Sequence, residues 1–155
     1  MIRRLQRIKQ LRIERAEQAL SAQQGRVQAA HRRLEQARQA VLDYHAWRLD
    51  EEARLFALCQ GTPLNRKELE AWQQQVALLR EKEAALEQEA ARMQELLAQE
   101  RQRLSACQER LNQARRQAEK FSELARREQE DERAQAQYQE EQEQEEFRQH
   151  HRKAS

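Results

Sequence analysis

Residues 69–125 read LEAWQQQVALLREKEAALEQEAARMQELLAQERQRLSACQERLNQARRQAEKFSELA. Mostly apolar or small residues form two rows in this stretch, and successive members of each row are seven residues apart. One row contains Leu69, Val76, Glu83, Ala90, Leu97, Leu104, Leu111, Ala118 and Ala125, and the other contains Trp72, Leu79, Leu86, Met93, Glu100, Cys107, Ala114 and Phe121. Two rows offset by three and four residues are the a and d positions of a coiled coil. The pattern therefore predicts a long helix with a seam that packs against another helix.

Composition limits the class of protein before any motif is considered. The chain has 155 residues, so we expect one domain, and 36% of the residues are charged, which is too many for a thick globular core. The net charge is only +2, so the strong self-repulsion typical of disordered chains is missing. We find no apolar run long enough for a membrane span and no signal-peptide pattern, and we expect a soluble chain.

A turn is predicted where Gly61 and Pro63 lie together between two periodic segments. Gly61 is suited to the left-handed position that closes a helix. Asn65 is suited to cap the next helix, with Glu68 completing a capping box, although Thr62 is a competing cap slightly earlier. The sequence thus predicts helix 1 over about 2–60, a turn over about 61–65 and helix 2 from about 66.

Helix 1 carries its own seam, interrupted by a few polar residues. The two rows are Ile13, Leu20, Val27, Leu34, Val41, Arg48, Leu55 and Ala16, Gln23, Ala30, Ala37, Tyr44, Glu51, Leu58. A turn of about five residues makes the two helices antiparallel neighbours. At about 1.5 Å per residue, the pair would form a rod roughly 90 Å long.

Folding about the turn predicts which residues face each other. Facing residue numbers should add up to about 127, because both helices advance by the same rise per residue. Arg48 then lies within one layer of Glu83, and the pair would fix the register of the helices. The other predicted pairs are Leu58 with Leu69, Val41 with Leu86, Leu34 with Met93, Ala30 with Leu97, Leu20 with Cys107 and Ala16 with Leu111.

The predicted fold is all-α, with two long helices in an antiparallel coiled-coil hairpin and a polar C-terminal extension that is helical or disordered. We assign residues 1–126 to the hairpin and residues 127–155 to the extension, because no segment of helix 1 remains to face them.

Basic residues crowd the start of helix 1, at the open end of the hairpin. A solvated face and a partner surface are the leading explanations, and nucleic acid or lipid is less favoured, because later charges are mixed in sign and the apolar residues here are expected to lie in the coiled coil. The candidate partner-binding residues of this open end are Arg3, Arg4, Arg7, Arg12 and Arg15.

Aromatic residues cluster near the predicted turn. Tyr44 and Trp72 fall in the seam and are interpreted first as large core residues, whereas Trp47 and Phe56 fall just outside it. Exposed aromatic residues beside a seam are typical of protein interfaces. We therefore predict a partner site at the hairpin end, with these four residues as candidates.

Catalytic, cofactor and metal sites are not indicated. The four histidines are dispersed apart from His150 and His151, and no His lies with Cys or carboxylates at a zinc-binding spacing. Two helices offer no concave pocket that would desolvate a nucleophile. We expect no catalytic residues, no cofactor, no metal and no enzymatic activity.

Four segments carry a resemblance to a known family. They are MIRRLQRIKQLRIERAE at 1–17, DYHAWRLDEEARLF at 43–56, LREKEAALE at 79–87 and QYQEEQEQEEFRQHH at 137–151. The chain resembles the YscO/FliJ family of type III secretion, and the similarity extends over essentially the whole sequence.

The resemblance implies a function as well as a fold. Such proteins are similar to the central stalk of rotary ATPases: a two-helix coiled coil binds the hexameric secretion ATPase, promotes its assembly or activity, and links it to the membrane export gate and to export chaperones. By this analogy the open end, with its basic residues and the helix around Phe121, faces the ATPase pore, and Phe121 joins the candidate partner-binding residues of that end. The hairpin end, by the same analogy, faces the export gate. The implied location is the bacterial cytoplasm, peripheral to the inner membrane at the secretion apparatus, and the implied role is in virulence.

Two other classes stay open. One is a structural coiled coil that straightens at the turn and self-associates as a parallel dimer, which Gly61 and Pro63 disfavour. The other is a nucleic-acid-binding coiled coil, which the small net charge disfavours. We expect an isolated chain that is monomeric, binds no nucleic acid and does not insert directly into membranes.

Overall fold

The computed structural model of the chain describes residues 2–61 and 63–153. Helix α1 spans Ile2–Cys59 and helix α2 spans Arg66–Lys153, and the described residues include no strand. Contacts between the helices run in antiparallel order, so the all-α hairpin fold predicted from the heptads is confirmed. The alternative of a parallel dimer requires one helix that runs straight through residue 61, and the structure has a turn there instead.

The connection between the helices uses the residues that the sequence indicated. Gly61 has φ +88°, in the left-handed region where side chains other than glycine are strained. The Asn65 side-chain oxygen accepts a hydrogen bond of 2.8 Å from the Glu68 amide, and the Asn65 amide donates to the Glu68 carboxylate at 3.4 Å. The predicted capping box is therefore present, while the competing cap at Thr62 lies outside the described residues.

Replacing Asn65 by alanine should lower the free energy of unfolding by about 1 kcal/mol, because one amide of the first α2 turn loses its acceptor. Urea denaturation followed by circular dichroism measures this change. An Asn65→Asp variant serves as the matched control, because aspartate keeps the acceptor oxygen and should unfold close to the parent midpoint. Equal losses in both variants would show that the cap does not stabilise the start of α2.

The chain divides into two compact units. The bend unit comprises the described residues of 20–107, on both sides of the turn. The terminal unit comprises the described residues of 1–19 and 108–155. Each unit pairs a segment of α1 with a segment of α2.

In the bend unit, the interface follows the predicted seam. Ala30, Leu34 and Leu97 form its buried apolar cluster, with Val27 and Met93 packed against it. The predicted meetings of Ala30 with Leu97 and of Leu34 with Met93 thus fall in one cluster. Small residues on one helix opposite large ones on the other allow close packing.

The seam prediction is wrong at the turn. Leu58 is 65% exposed and Leu69 is 43% exposed, so they do not form the first buried layer. The interface instead begins with half-buried Leu55 and Cys59 on α1 and Trp72 on α2. The physical reason is that no further helical layer covers the last turn beside the bend.

Two polar layers interrupt the apolar interface of the bend unit. Arg48 Nε lies 2.6 Å from Glu83 Oε2, which confirms the predicted pair. The Gln23 side-chain amide donates to the Glu100 backbone carbonyl at 3.0 Å and also to the Glu100 carboxylate. Because a shift of one helix along the other would leave these buried polar groups unpaired, both layers favour a single register.

In the terminal unit, the interface ends at Ala125. Leu111 and Ala125 are buried, and the Glu17 carboxylate lies 3.6 Å from an Arg115 guanidinium nitrogen across the two helices. From residue 126 to residue 153 every α2 residue is exposed and helical. The described part of the C-terminal segment is therefore helical, while its assignment as a separate extension from residue 127 stays a prediction.

Candidate partner-binding surfaces

The bend unit presents aromatic side chains on both sides of the α1–α2 interface. Tyr44 is half-buried and donates a hydrogen bond of 3.0 Å from its hydroxyl to the Leu79 carbonyl. The Trp47 ring is exposed, with its centroid 5.5 Å from that of Tyr44, and the Lys82 ammonium lies 5.4 Å from the Tyr44 centroid. Tyr44 is thus joined to α2 by its hydrogen bond, and the exposed Trp47 ring beside it is available to a partner.

A groove brings the other two predicted residues of this unit together. Phe56 is exposed and Trp72 is half-buried, and both line a cavity of about 310 Å³ with Leu49, Ala53 and Val76. The groove contains neither Tyr44 nor Trp47. The four predicted aromatic residues therefore form two pairs, Tyr44 with Trp47 and Phe56 with Trp72.

An ion-pair network joins the helices beside this groove. His45 Nδ1 lies 2.5 Å from Glu83 Oε1, so Glu83 contacts both His45 and Arg48. Glu52 Oε1 accepts from Arg48 at 2.8 Å and from Arg80 at 3.1 Å. The sequence indicated the Arg48–Glu83 pair but not the roles of His45, Glu52 and Arg80, which lie at flanking positions of the seam.

The network lowers the pKa of both carboxylates. Burial by itself would raise the pKa of Glu83, but the hydrogen bond with His45 and the charge of Arg48 outweigh it and hold that pKa below the ordinary 4.5. For Glu52, the hydrogen bond from Arg80 is the largest effect and lowers the pKa, with burial opposing it and Arg48 adding to it. Both groups therefore stabilise the fold in their ionised form.

The free energy of unfolding should consequently fall as the pH drops below about 4.5. A carboxyl whose pKa is lower in the folded state stabilises the fold above its unfolded-state pKa, and this contribution is lost as the pH falls through the folded-state pKa. Urea midpoints measured between pH 5 and pH 3 test this. Glu83→Gln should reduce the slope over that interval, and Glu87→Gln, at an exposed position of the same helix, is the matched control. Identical slopes for parent and Glu83→Gln would contradict the assignment.

The terminal unit presents a face in which arginines alternate with apolar side chains. Arg4, Arg12 and Arg15 are exposed, and their spacing places them on one side of α1. Leu5, Ile8 and Leu11 share that side and are 42% to 46% exposed. The expectation that these apolar residues lie in the coiled coil is therefore wrong, because the interface of this segment uses Ile2, Lys9, Ile13 and Ala16 instead.

The remaining predicted residues of the terminal unit line grooves. Arg7 and half-buried Phe121 line one cavity of about 370 Å³ with Ala118. Arg3 lines another, of about 510 Å³, with Ile2 and Ala125. On α2, exposed Leu124 is flanked by Lys120 and Arg127. We call the exposed face of Arg4, Leu5, Ile8, Leu11, Arg12 and Arg15 the terminal surface.

Within the described part of the chain, no three His, Cys, Asp or Glu side chains are grouped so as to hold a metal ion. No stretch of the described helices combines the length and the apolar character needed to cross a bilayer.

Two exposed apolar residues of the bend unit, Leu42 and Leu49, were not predicted from the sequence. Leu42 and Leu49 precede Phe56 by fourteen and seven residues, and all three are exposed. The signal was present as a second heptad spacing, offset by one residue from Val41, Arg48 and Leu55 of the seam. Because one seam was enough to predict the α1–α2 interface, the second spacing was not interpreted.

Comparisons with known proteins agree with this architecture. The family model described as type III secretion protein YscO matches residues 2–150. Yop proteins translocation protein O of Yersinia pseudotuberculosis serotype I (strain IP32953) is 60% identical over 154 residues, covering 99% of this chain and 100% of that protein. The 2.8 Å crystal structure of type III secretion protein YscO from Vibrio parahaemolyticus matches with a TM-score of 0.88 and 44% identity, covering 95% of this chain and 92% of that one. This chain is a two-helix hairpin that matches these proteins in length and sequence, and it belongs to the YscO family of type III secretion proteins.

Proposed function

We propose that this chain is the central stalk of the secretion ATPase complex, which binds the hexameric ATPase, promotes its assembly or activity, and links it to the export gate and to export chaperones. The observation that carries the proposal is the chemical difference between its two units. The terminal unit exposes arginines beside leucine and isoleucine, whereas the bend unit exposes aromatic side chains. Two unlike surfaces on one pair of helices suit a protein that contacts two unlike partners.

The terminal surface is the better candidate for the ATPase. Arginine is favoured at protein interfaces, and exposed leucine and isoleucine beside it add apolar area that is buried on binding. The basic side chains would also speed the encounter with an acidic partner. Arg3, Arg7 and Phe121, which line neighbouring grooves, would extend the contact.

The bend unit is the candidate for the export gate. Trp47 and Phe56 are exposed large aromatic residues, the type that most often supplies binding energy at an interface. Tyr44 and Trp72 would support them from within the α1–α2 interface. The proposed location follows from these partners: the bacterial cytoplasm, at the inner-membrane face of a secretion apparatus that acts in virulence.

The mechanism follows from symmetry. A single hairpin has no six-fold axis, so inside a six-fold ring it contacts the ATPase subunits unequally. Subunits that contact the hairpin would then differ from the others in their affinity for ATP or in their rate of hydrolysis. The hairpin would thereby couple the nucleotide state of the ring to the partner bound at its bend unit.

The test measures ATP hydrolysis and oligomer size of the cognate ATPase with increasing amounts of the chain. The proposal predicts faster hydrolysis and a larger hexameric fraction, and no change in either would contradict it. A Trp47→Ala, Phe56→Ala double variant should still act on the ATPase but should lose binding to the cytoplasmic part of the export gate. If that variant bound both partners as the parent does, the bend-unit assignment would be wrong.

A further inference from the structure

A second heptad of exposed apolar residues runs along α1 in the bend unit. Its members are Leu42, Ala46, Leu49, Ala53 and Phe56, spaced alternately by four and three residues. Leu42 is 63% exposed, Leu49 is 50% and Phe56 is 54%, and both alanines are exposed. We call these five residues the outer stripe. Its spacing is that of a coiled-coil seam, yet the α1–α2 interface uses other residues, so α2 does not cover it.

The outer stripe continues into a concave surface. Leu49, Ala53 and Phe56 form one wall of the cavity of about 310 Å³, and Trp72 and Val76 of α2 form the other. Small residues between large ones leave notches that accept the side chains of a facing helix. The shape and spacing together fit an α-helix that lies along α1.

Charged residues flank the outer stripe on both sides and form its rim, and their charge indicates which kind of helix would bind. Asp43 and Asp50, one heptad apart, flank the stripe on one side and are exposed. Asp43 accepts a hydrogen bond of 2.8 Å from the neutral Gln39 amide, and neither Asp43 nor Asp50 makes an ion pair with the residues that the structure describes. Glu52 on the other side is already paired with Arg48 and Arg80. The uncompensated charge of the rim is therefore negative on the Asp43 side.

This charge pattern disfavours a second copy as the occupant. Two copies pairing stripe to stripe in antiparallel order would meet about Leu49, which brings the Asp43 and Asp50 rims of both copies together. Like charges at such flanking positions oppose association. A helix with basic flanking residues would instead form ion pairs with the same rim.

We propose that the outer stripe binds an amphipathic α-helix of a partner protein, with heptad-spaced apolar residues and with Lys or Arg on the flank that faces Asp43 and Asp50. The proposal goes beyond the stalk function, and it shares Phe56 and the groove wall at Trp72 with the proposed export-gate contact. Leu42 and Leu49, on which the proposal mainly rests, are assigned to neither the ATPase contact nor the export-gate contact.

The test uses a fluorescein-labelled synthetic peptide of three heptads, with Leu and Ala in the seam rows and Lys along one flanking row. A matched peptide carries Glu in place of each Lys. Fluorescence anisotropy with the full chain should show about tenfold tighter binding of the Lys peptide. Equal affinity of both peptides, or binding of neither, would overturn the proposal.

Substitutions in the chain test whether the Lys peptide binds at the outer stripe. Leu42→Gln with Leu49→Gln should weaken binding of the Lys peptide about tenfold, whereas Leu78→Gln, at an exposed leucine of α2 outside the stripe, should not. Asp43→Lys with Asp50→Lys should reverse the preference in favour of the Glu peptide. Thermal unfolding by circular dichroism verifies that each variant is folded. Unchanged binding in the Leu42, Leu49 variant would overturn the proposal, and so would a dimer of the parent chain, seen by sedimentation, that this variant abolishes.

Discussion

Replacing Leu97 by alanine is expected to lower the free energy of unfolding by about 2–5 kcal/mol. Leu97 is 2% exposed and belongs to the buried cluster with Ala30 and Leu34, so the truncation leaves a cavity in the main apolar contact of the bend unit. A two-helix interface has few buried residues, and one cavity therefore removes a large share of its packing. Urea denaturation followed by circular dichroism measures the loss.

Leu78→Ala is the matched control for this experiment. Leu78 lies on the same helix, and the same atoms are removed, but it is 57% exposed. Its replacement should change the free energy of unfolding by no more than about 0.5 kcal/mol. Equal losses for the Leu97 and Leu78 variants would contradict the assigned interface.

The second large effect is expected at the terminal surface. Replacing Arg4, Arg12 and Arg15 together by glutamate should weaken binding to the ATPase at least about tenfold and remove its stimulation, because an attractive basic face becomes a repulsive acidic one. ATP hydrolysis at increasing concentrations of the variant, at low and at moderate salt, measures the effect. The stimulation by the parent chain should itself decrease with salt.

A matched triple variant separates position from charge. Arg26, Arg32 and Arg33 are exposed arginines of α1 in the bend unit, and glutamate at all three changes the net charge by the same amount. This variant should stimulate the ATPase nearly as the parent does. If both triple variants lost stimulation equally, overall charge rather than the terminal surface would be responsible.

The sequence predicted the fold well because a heptad pattern encodes both helix and interface. Burial follows the predicted rows from Trp72 to Ala125, and Arg48 meets Glu83 as expected. The pattern was wrong where helical layers end, at Leu58 and Leu69, since periodicity does not show where a partner helix stops covering a residue. It also did not pair Gln23 with Glu100, because two polar residues in a seam have several possible partners until the register is known.

The candidate surfaces were harder to predict for a related reason. Leu5, Ile8 and Leu11 are apolar and were expected in the coiled coil, yet Ile2 and Ile13 occupy the interface and leave them exposed. Leu42 and Leu49 were not identified at all. An apolar residue outside the internal seam has no intramolecular partner, so the heptad rule that places Leu97 gives no position for these residues. Trp47 and Phe56 were identified because aromatic residues outside a seam are unusual, and both are exposed as expected.

Native mass spectrometry of the cognate ATPase hexamer mixed with excess chain tests the stalk proposal most directly. A central stalk occupies the single axis of the ring, so the proposal predicts that the hexamer gains one copy of 18.6 kDa and no more. The Arg4, Arg12, Arg15 variant should leave the hexamer without an added copy. Six copies on each hexamer, or a hexamer that gains none of the parent chain, would contradict a central stalk.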